Sequence, residues 1–219
     1  PCLGQCENAP ALFIQARSSD PVDMASTGET EQKFNATLAN RLLRRFGLVD
    51  PQRLRAYREH GGYQALKTAI EVGQEEIIRL VTESGLTGRG GAAFPTGRKW
   101  RTVANHDHRQ KYVVANADES EPGTFKDRMI IENDPFALIE AMTIAGFATG
   151  CTKGWIYIRG EYSTATKRLR SAIEQAYQAG LLGANVHDGA FTFDIELRQG
   201  AGAYICGEET ALFNSIEGF

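Results

Sequence analysis

The sequence has no apolar run that could cross a membrane, which takes about 18 or more consecutive apolar residues. The nearest stretch, Phe136 to Cys151, carries Glu140 and several small residues and reads as a buried helix. Cysteine is scarce. Four in 219 residues exclude a disulfide-stapled scaffold, and with no secretory leader pattern a reducing, cytoplasmic setting is expected, any membrane attachment being peripheral and through a larger complex. No sign of charge dominates: 24 basic and 27 acidic residues are interspersed for a net charge of −3, which excludes the basic stripe that a nucleic-acid surface needs. The Gly-x4-Gly-Lys-Ser/Thr phosphate loop is missing, so a phosphoryl-transfer enzyme is disfavoured. His60, His106, His108 and His187 show no metal-like spacing with the cysteines. What remains is 42% apolar content, enough for one sizeable core and a small appendage.

Along the chain, Cys2-x3-Cys6 precedes a short strand-like segment, Ala11 to Gln15. Residues 18–32, rich in Ser, Asp, Thr, Glu and Pro, have linker composition. Helical spacing of Leu38, Leu42, Leu43 and Phe46 predicts a helix over 34–46. Asp50-Pro51 predicts the start of another that runs to Glu59, and Gly61-Gly62 breaks it before a third over 63–72. Glu75 to Ser84 reads as an amphipathic helix stopped by Gly85. Strands are predicted at Tyr112–Ala115, Trp155–Arg159 and Phe193–Leu197, and helices at 134–149, 163–179 and 208–216. That alternation implies right-handed crossovers and a largely parallel sheet: an α/β, Rossmann-like core with flanking helices, preceded by a helical segment. In such sheets ligands sit beyond the carboxyl ends of the strands.

Three segments carry the chemistry. Residues 85–100 place five glycines, Arg89, Arg98 and Lys99 in one loop, with Phe94 and Trp100 near its end. Glycines let backbone N–H groups approach a phosphate closely, and the cations supply charge. The usual nucleotide fingerprint leaves a strand and opens a helix; this loop is expected to do neither. The alternative, a tight helix-to-sheet connection, explains fewer glycines than are present. Residues 116–128 follow an apolar strand and cluster Asp118, Glu119 and Glu121. These carboxylates suit sugar hydroxyls or other uncharged hydrogen-bond donors, or else a magnesium or calcium ion; on residue chemistry alone a solvated turn is the default. Residues 200–212 follow another strand. There Gly207 precedes a helix start that favours anions, while Glu208 and Glu209 could simply cap that helix. Cys206 reads as a buried apolar residue rather than a redox centre.

In this order, the three segments resemble the FMN- and NADH-binding flavoprotein subunit of respiratory complex I, a module shared with NAD-reducing hydrogenases and NAD-dependent formate dehydrogenases. The resemblance covers the chain from about residue 60 to 219. It implies FMN and NAD(H) as cofactors, with Gly88, Arg89, Gly90, Gly91, Ala92 and Lys99 beside the flavin and Phe94 as a stacking face. It further implies Asn116, Asp118 and Ser120 on the flavin side, Glu119 and Glu121 near the nicotinamide cofactor, and Tyr204, Gly207, Glu208 and Glu209 in the third motif. Hydride transfer between NADH and FMN would need no side-chain acid, and single electrons would pass to iron–sulfur subunits of a larger complex. Cys2 and Cys6 resemble the second cysteine pair of the thioredoxin-like 2Fe–2S partner. Such a cluster takes four thiolates, so the pair is at most half a site. The implied domains are 1–17, the end of that ferredoxin-like domain; 18–32, a linker; and 33–219, the flavoprotein domain.

Departures from the pattern accompany these matches. The family's 4Fe–4S cysteine motif is not in the sequence, and the aromatic that often follows the Lys-Trp pair by two residues is Thr102. The ends read as interior to a longer protein. A second reading therefore stands beside the enzyme: a nucleotide-binding scaffold subunit without catalysis.

Overall fold

The computed structural model describes residues 42–88, 92–108, 110–201, 205 and 208–218. Cys2, Cys6, the predicted strand at 11–15, the linker and most of the predicted 34–46 helix lie outside them. The described end of that helix, residues 42–48, is a series of turns instead, closing on Gly47 at φ 72°.

Four helices follow: α1 (Leu54–Glu59), α2 (Gln64–Val72), α3 (Gln74–Glu83) and α4 (Thr96–Ala104). Asp50-Pro51 does not start α1. The Asp50 carboxylate accepts from Gln52 N at 2.9 Å, making a turn that delays the helix by three residues. Gly85, at φ 66°, ends the α3 segment as its sequence requires. Helix α4 is not among the predicted elements. The glycine loop does open a helix, but leaves one rather than a strand. Gly97 in the first turn obscures the helical signal, yet Gly97 is there for packing: a Cβ on it would lie 2.6 Å from Thr82 Cα, so α3 and α4 touch backbone to backbone.

The rest alternates: β1 (Tyr112–Ala117), α5 (Lys126–Asn133), α6 (Pro135–Thr149), β2 (Lys153–Arg159), α7 (Ser163–Gln178), β3 (Gly183–Val186), β4 (Phe191–Gly200) and α8 (Glu209–Glu217). The sheet runs β1-β2-β4-β3, parallel throughout except for the antiparallel edge strand β3. This is the mixed α/β fold with a largely parallel sheet and flanking helices. Helix α5 and strand β3 add to the predicted elements. Gly154, Ile156 and Ile158 of β2 face α6 and α7 with Phe193 and Ile195 of β4, forming the core. Helix α6 is buried on nearly all sides and contacts both the sheet and α2–α4. Helix α8 is linked to the other face, where Tyr157 Oη and Ser215 Oγ are 2.8 Å apart.

Glu140, on α6, is buried and ties the amino-terminal helices to this core. Its carboxylate accepts from Tyr57 Oη at 2.5 Å, Tyr63 N at 2.8 Å and Leu66 N at 3.0 Å. Arg45 pairs with Asp134 at 2.7 Å in the same layer. Burial followed by the Glu140 charge pushes both tyrosine phenols up, keeping them protonated.

Candidate functional site

The glycine loop is closed at its base. Thr87 bridges Pro95, Gly88 N donates to Phe94 O at 3.0 Å, and Thr96 N donates to Leu86 O at 2.9 Å. Ala93 adopts φ 48° within it. Ala92, Phe94 and Lys99 are exposed, and Arg98 and Lys99 stand 5.8 and 5.9 Å from the Phe94 ring centroid. Arg89, Gly90 and Gly91 lie outside the described residues. The loop therefore presents an aromatic face flanked by cations, on the first turn of α4.

The acidic loop begins where β1 ends. Asn116 Oδ1 accepts from Asp118 N at 3.1 Å, a short-range turn that swings Asp118 inward. Asp118 is fully buried. Its Oδ2 accepts from Ser120 Oγ, whereas Oδ1 has no partner among the described residues. A buried carboxylate oxygen without a donor is unfavourable by about 1–3 kcal/mol, so it marks a place where a donor is expected. Glu119 is in the left-handed region at φ 43°, which costs a non-glycine residue about 1–2 kcal/mol. Its fully buried side chain offsets this: Oε1 accepts from Asp127 N at 2.7 Å, and Oε2 accepts from Arg128 N and Tyr162 Oη at 3.0 Å each. Those amides belong to the first turn of α5, so Glu119 caps that helix from a distance. The expectation that Glu119 faces the nicotinamide meets a carboxylate already engaged inside the fold. Glu121 is exposed. The solvated turn describes Glu121 alone, and no cluster of metal-type side chains occurs among the described residues.

The third loop follows β4. Glu208 is the N-cap of α8 and accepts from Ala211 N at 3.1 Å; the backbone amides of Thr210 and Ala211 hold its carboxyl below the ordinary value. The capping reading of Glu208 is thus realised. Tyr204 and Gly207, and the side chain of Glu209, lie outside the described residues.

Topology brings the acidic loop and the loop after β4 to one end. Strands β1, β2 and β4 are parallel, so their following loops share the carboxyl edge. The glycine loop arrives by a different route. Lys111, at the start of β1, donates to the carbonyls of Val103 and Ala104 at 3.2 and 3.4 Å, and its Nζ lies 3.3 Å from where a Gly150 Cβ would stand. The final turns of α4 and α6 therefore meet at the amino edge of the sheet. Helix α4 spans nine residues, about 13 Å, between that edge and the glycine loop at its first turn. A cavity of about 580 Å³ lies on the α8 face, lined by Thr102, His106, Tyr112, Trp155 and Phe213 among others. Its lining takes in none of the described residues proposed from the sequence as cofactor contacts.

Two residues at this edge carry no motif in the sequence: Arg159, the last of β2, and Tyr162, which precedes α7. Arg159 Nη1 donates to Glu119 O at 3.1 Å, and its other nitrogens meet Glu161 at 2.8 and 3.1 Å. The signal was available in the rule that strand ends of a parallel sheet form the site, since β2 is central.

Comparison with known proteins agrees with this architecture. Residues 81–219 match the family model for the Nuo51 FMN-binding domain. The chain belongs to that family. It is 47% identical over 194 residues to the NADP-reducing hydrogenase subunit HndC of Solidesulfovibrio fructosivorans, covering 89% of this chain and 38% of that one. It is 50% identical over 185 residues to an NADH-quinone oxidoreductase subunit of Aquifex aeolicus, covering 84% and 43% respectively. Among solved structures, an NAD+-reducing [NiFe]-hydrogenase in the H2-reduced state superposes with a TM-score of 0.64 at 34% identity, over 90% of this chain and 34% of that one. The chain thus spans less than half the length of these relatives, which are oxidoreductase subunits. No helix among the described residues is long and apolar enough to cross a membrane.

Proposed function

We propose that this chain is the NAD(H)- and FMN-binding part of an NAD(H):acceptor oxidoreductase that passes single electrons to iron–sulfur clusters of a multi-subunit complex. The observation that carries this reading is that the acidic loop and the loop after β4 leave the same carboxyl edge of the sheet, with Asp118 Oδ1 buried in the acidic loop and without a donor among the described residues. The residues present fit a flavin mononucleotide. A ring N–H is the kind of donor that Asp118 Oδ1 does not meet among the described residues, and exposed Lys99, with Arg89, suits the phosphate. When bound, FMN supplies two-electron acceptance and one-electron release, which no side chain here provides.

The protein's own part is binding and orientation. Gly88, Gly90, Gly91 and Ala92 leave the glycine-loop backbone accessible, and Phe94 offers a stacking face. Asn116, Asp118 and Ser120 address the flavin ring; Glu121, exposed on the same loop, accepts from the nicotinamide cofactor. Glu119 serves through the loop it holds. The resemblance assigns Tyr204, Gly207, Glu208 and Glu209 to the same cofactors. Cys2 and Cys6 supply half of a 2Fe–2S site at the end of a ferredoxin-like domain (1–17), joined by a linker (18–32) to the flavoprotein domain (33–219). The setting is cytoplasmic.

Titration of the purified chain with FMN, followed by flavin fluorescence quenching, tests the reading. Saturable binding is expected, with Lys99→Ala weakening it roughly ten- to a hundredfold. Anaerobic NADH should then bleach the visible flavin absorption; binding without bleaching would instead favour the scaffold subunit. No saturable quenching would reject the flavin site.

A further inference from the structure

We propose that Arg159 and Tyr162 are positioning residues for the cofactor site: by holding Glu119, they aim the loop that carries Asp118, Ser120 and Glu121. The inference rests on the flavin reading above. It starts from a backbone that would not adopt its shape unaided, because Glu119 is left-handed at φ 43° without being glycine. Both halves of Glu119 are held. Tyr162 Oη donates to its carboxylate at 3.0 Å, beside the two α5 amides, and Arg159 Nη1 donates to its carbonyl at 3.1 Å. Lys126 Nζ, at 3.9 Å from Oε1, is too distant to share that work.

The holders are themselves fixed. Glu161 grips the Arg159 guanidinium through two nitrogens, and the guanidinium carbon lies 5.2 Å from the Tyr162 ring centroid, with Arg128 at 5.7 Å from the same ring. Tyr162 is buried, and burial followed by the Glu119 charge keeps its phenol protonated and so a donor. The loop after β1 is thereby bolted to the loop after β2. Rotation at Glu119 would turn Asp118 on one side and Ser120 and Glu121 on the other. Since Asp118 Oδ1 has no partner among the described residues, that rotation sets where this acceptor points.

Tyr162→Phe and Arg159→Gln test this in the full chain, with Arg159→Lys as the conservative control. Two readouts are needed: hydrogen exchange of the Asp127 and Arg128 amides without cofactor, and the FMN dissociation constant with the circular dichroism of bound flavin. We expect faster exchange in Tyr162→Phe, a dissociation constant raised about three- to tenfold in Tyr162→Phe and Arg159→Gln with an altered flavin band, and partial recovery in Arg159→Lys. Unchanged exchange in Tyr162→Phe would overturn the bolt itself. Faster exchange with unaltered flavin affinity and spectrum would make the contact purely structural and overturn positioning. Wild-type chain that binds no FMN overturns the flavin reading, and the proposal with it, whereas wild-type binding matched by all three variants overturns the proposal alone.

Discussion

Glu119 and Glu140 are built alike yet serve different ends. Each is a carboxylate with two backbone N–H donors and one tyrosine hydroxyl, each serves the first turn of a neighbouring helix, and each sits with a left-handed non-glycine residue: Glu119 itself, or Tyr63. Each even has a buried oxygen close by without a partner among the described residues, Asp118 Oδ1 in one case and Tyr63 Oη in the other. The difference is what that oxygen is and where it lies. Tyr63 Oη is a neutral hydroxyl within the helical layer, whereas Asp118 Oδ1 belongs to a carboxylate at the carboxyl edge of parallel strands. Neither burial nor an orphaned atom singles out a candidate site alone; the acceptor-only group at the carboxyl edge of the parallel strands is what the proposed site rests on.

Breaking the Glu140 side of the comparison should have the largest effect. Glu140→Ala leaves three donors without an acceptor and should destabilise the fold by about 3 kcal/mol or more, measured by urea denaturation, while the flavin affinity of the molecules still folded stays unchanged. Next is Gly97→Ala, which forces a methyl into Thr82 Cα and N, at 2.6 and 2.7 Å. Overpacking of that kind costs about 1–3 kcal/mol. Because it lifts the start of α4, it should lower both the melting temperature and FMN affinity, and Thr82→Ala should not rescue it.

The two orphaned oxygens sharpen the contrast directly. Tyr63→Phe removes a buried hydroxyl without a partner among the described residues, and Asp118→Asn replaces a buried charge by a neutral amide; each should leave the free protein about equally stable, within about 1 kcal/mol. Only Asp118→Asn should weaken FMN, by roughly tenfold or more in a fluorescence titration. Equal flavin affinity in both variants would erase the distinction between the two carboxylate sites. The smallest effect is one of pH. Arg159 holds the Glu161 carboxyl below its ordinary value, so the folded chain binds fewer protons there than the unfolded one. Its contribution is present above the unfolded value and is lost as pH falls through the lower folded value. Glu161→Gln should flatten the acid limb of the stability curve over that window and leave neutral pH nearly untouched.

Local pattern made much of this molecule legible. Asp134-Pro135 and Gly150 bracket α6 as the sequence indicates, Gly85 stops the α3 segment, and the three strands of the parallel sheet fall where apolar runs lie between helices. Helix α4 was hidden because Gly97, a poor helix former, is kept for contact with Thr82, and α5 because it is short and begins three residues after the turn at Pro122 and Gly123. The site was legible as three motifs, since glycine, acid and cation are chemical identities that survive without coordinates.

By itself the sequence determined the residue chemistry, the order of helices and strands, and so the edge of the sheet at which the loops after β1 and β4 must emerge. Tertiary structure alone decided what each carboxylate does. Asp118, Glu119 and Glu121 are chemically near-identical neighbours, but the turn at Asn116 and the left-handed Glu119 send the first into the protein with one oxygen lacking a donor among the described residues, the second into the α5 amides and Tyr162, and leave the third exposed. Those partners come from residues 8, 9 and 43 positions away, and no local propensity encodes a hydrogen bond whose donor arrives only when β2 pairs with β1.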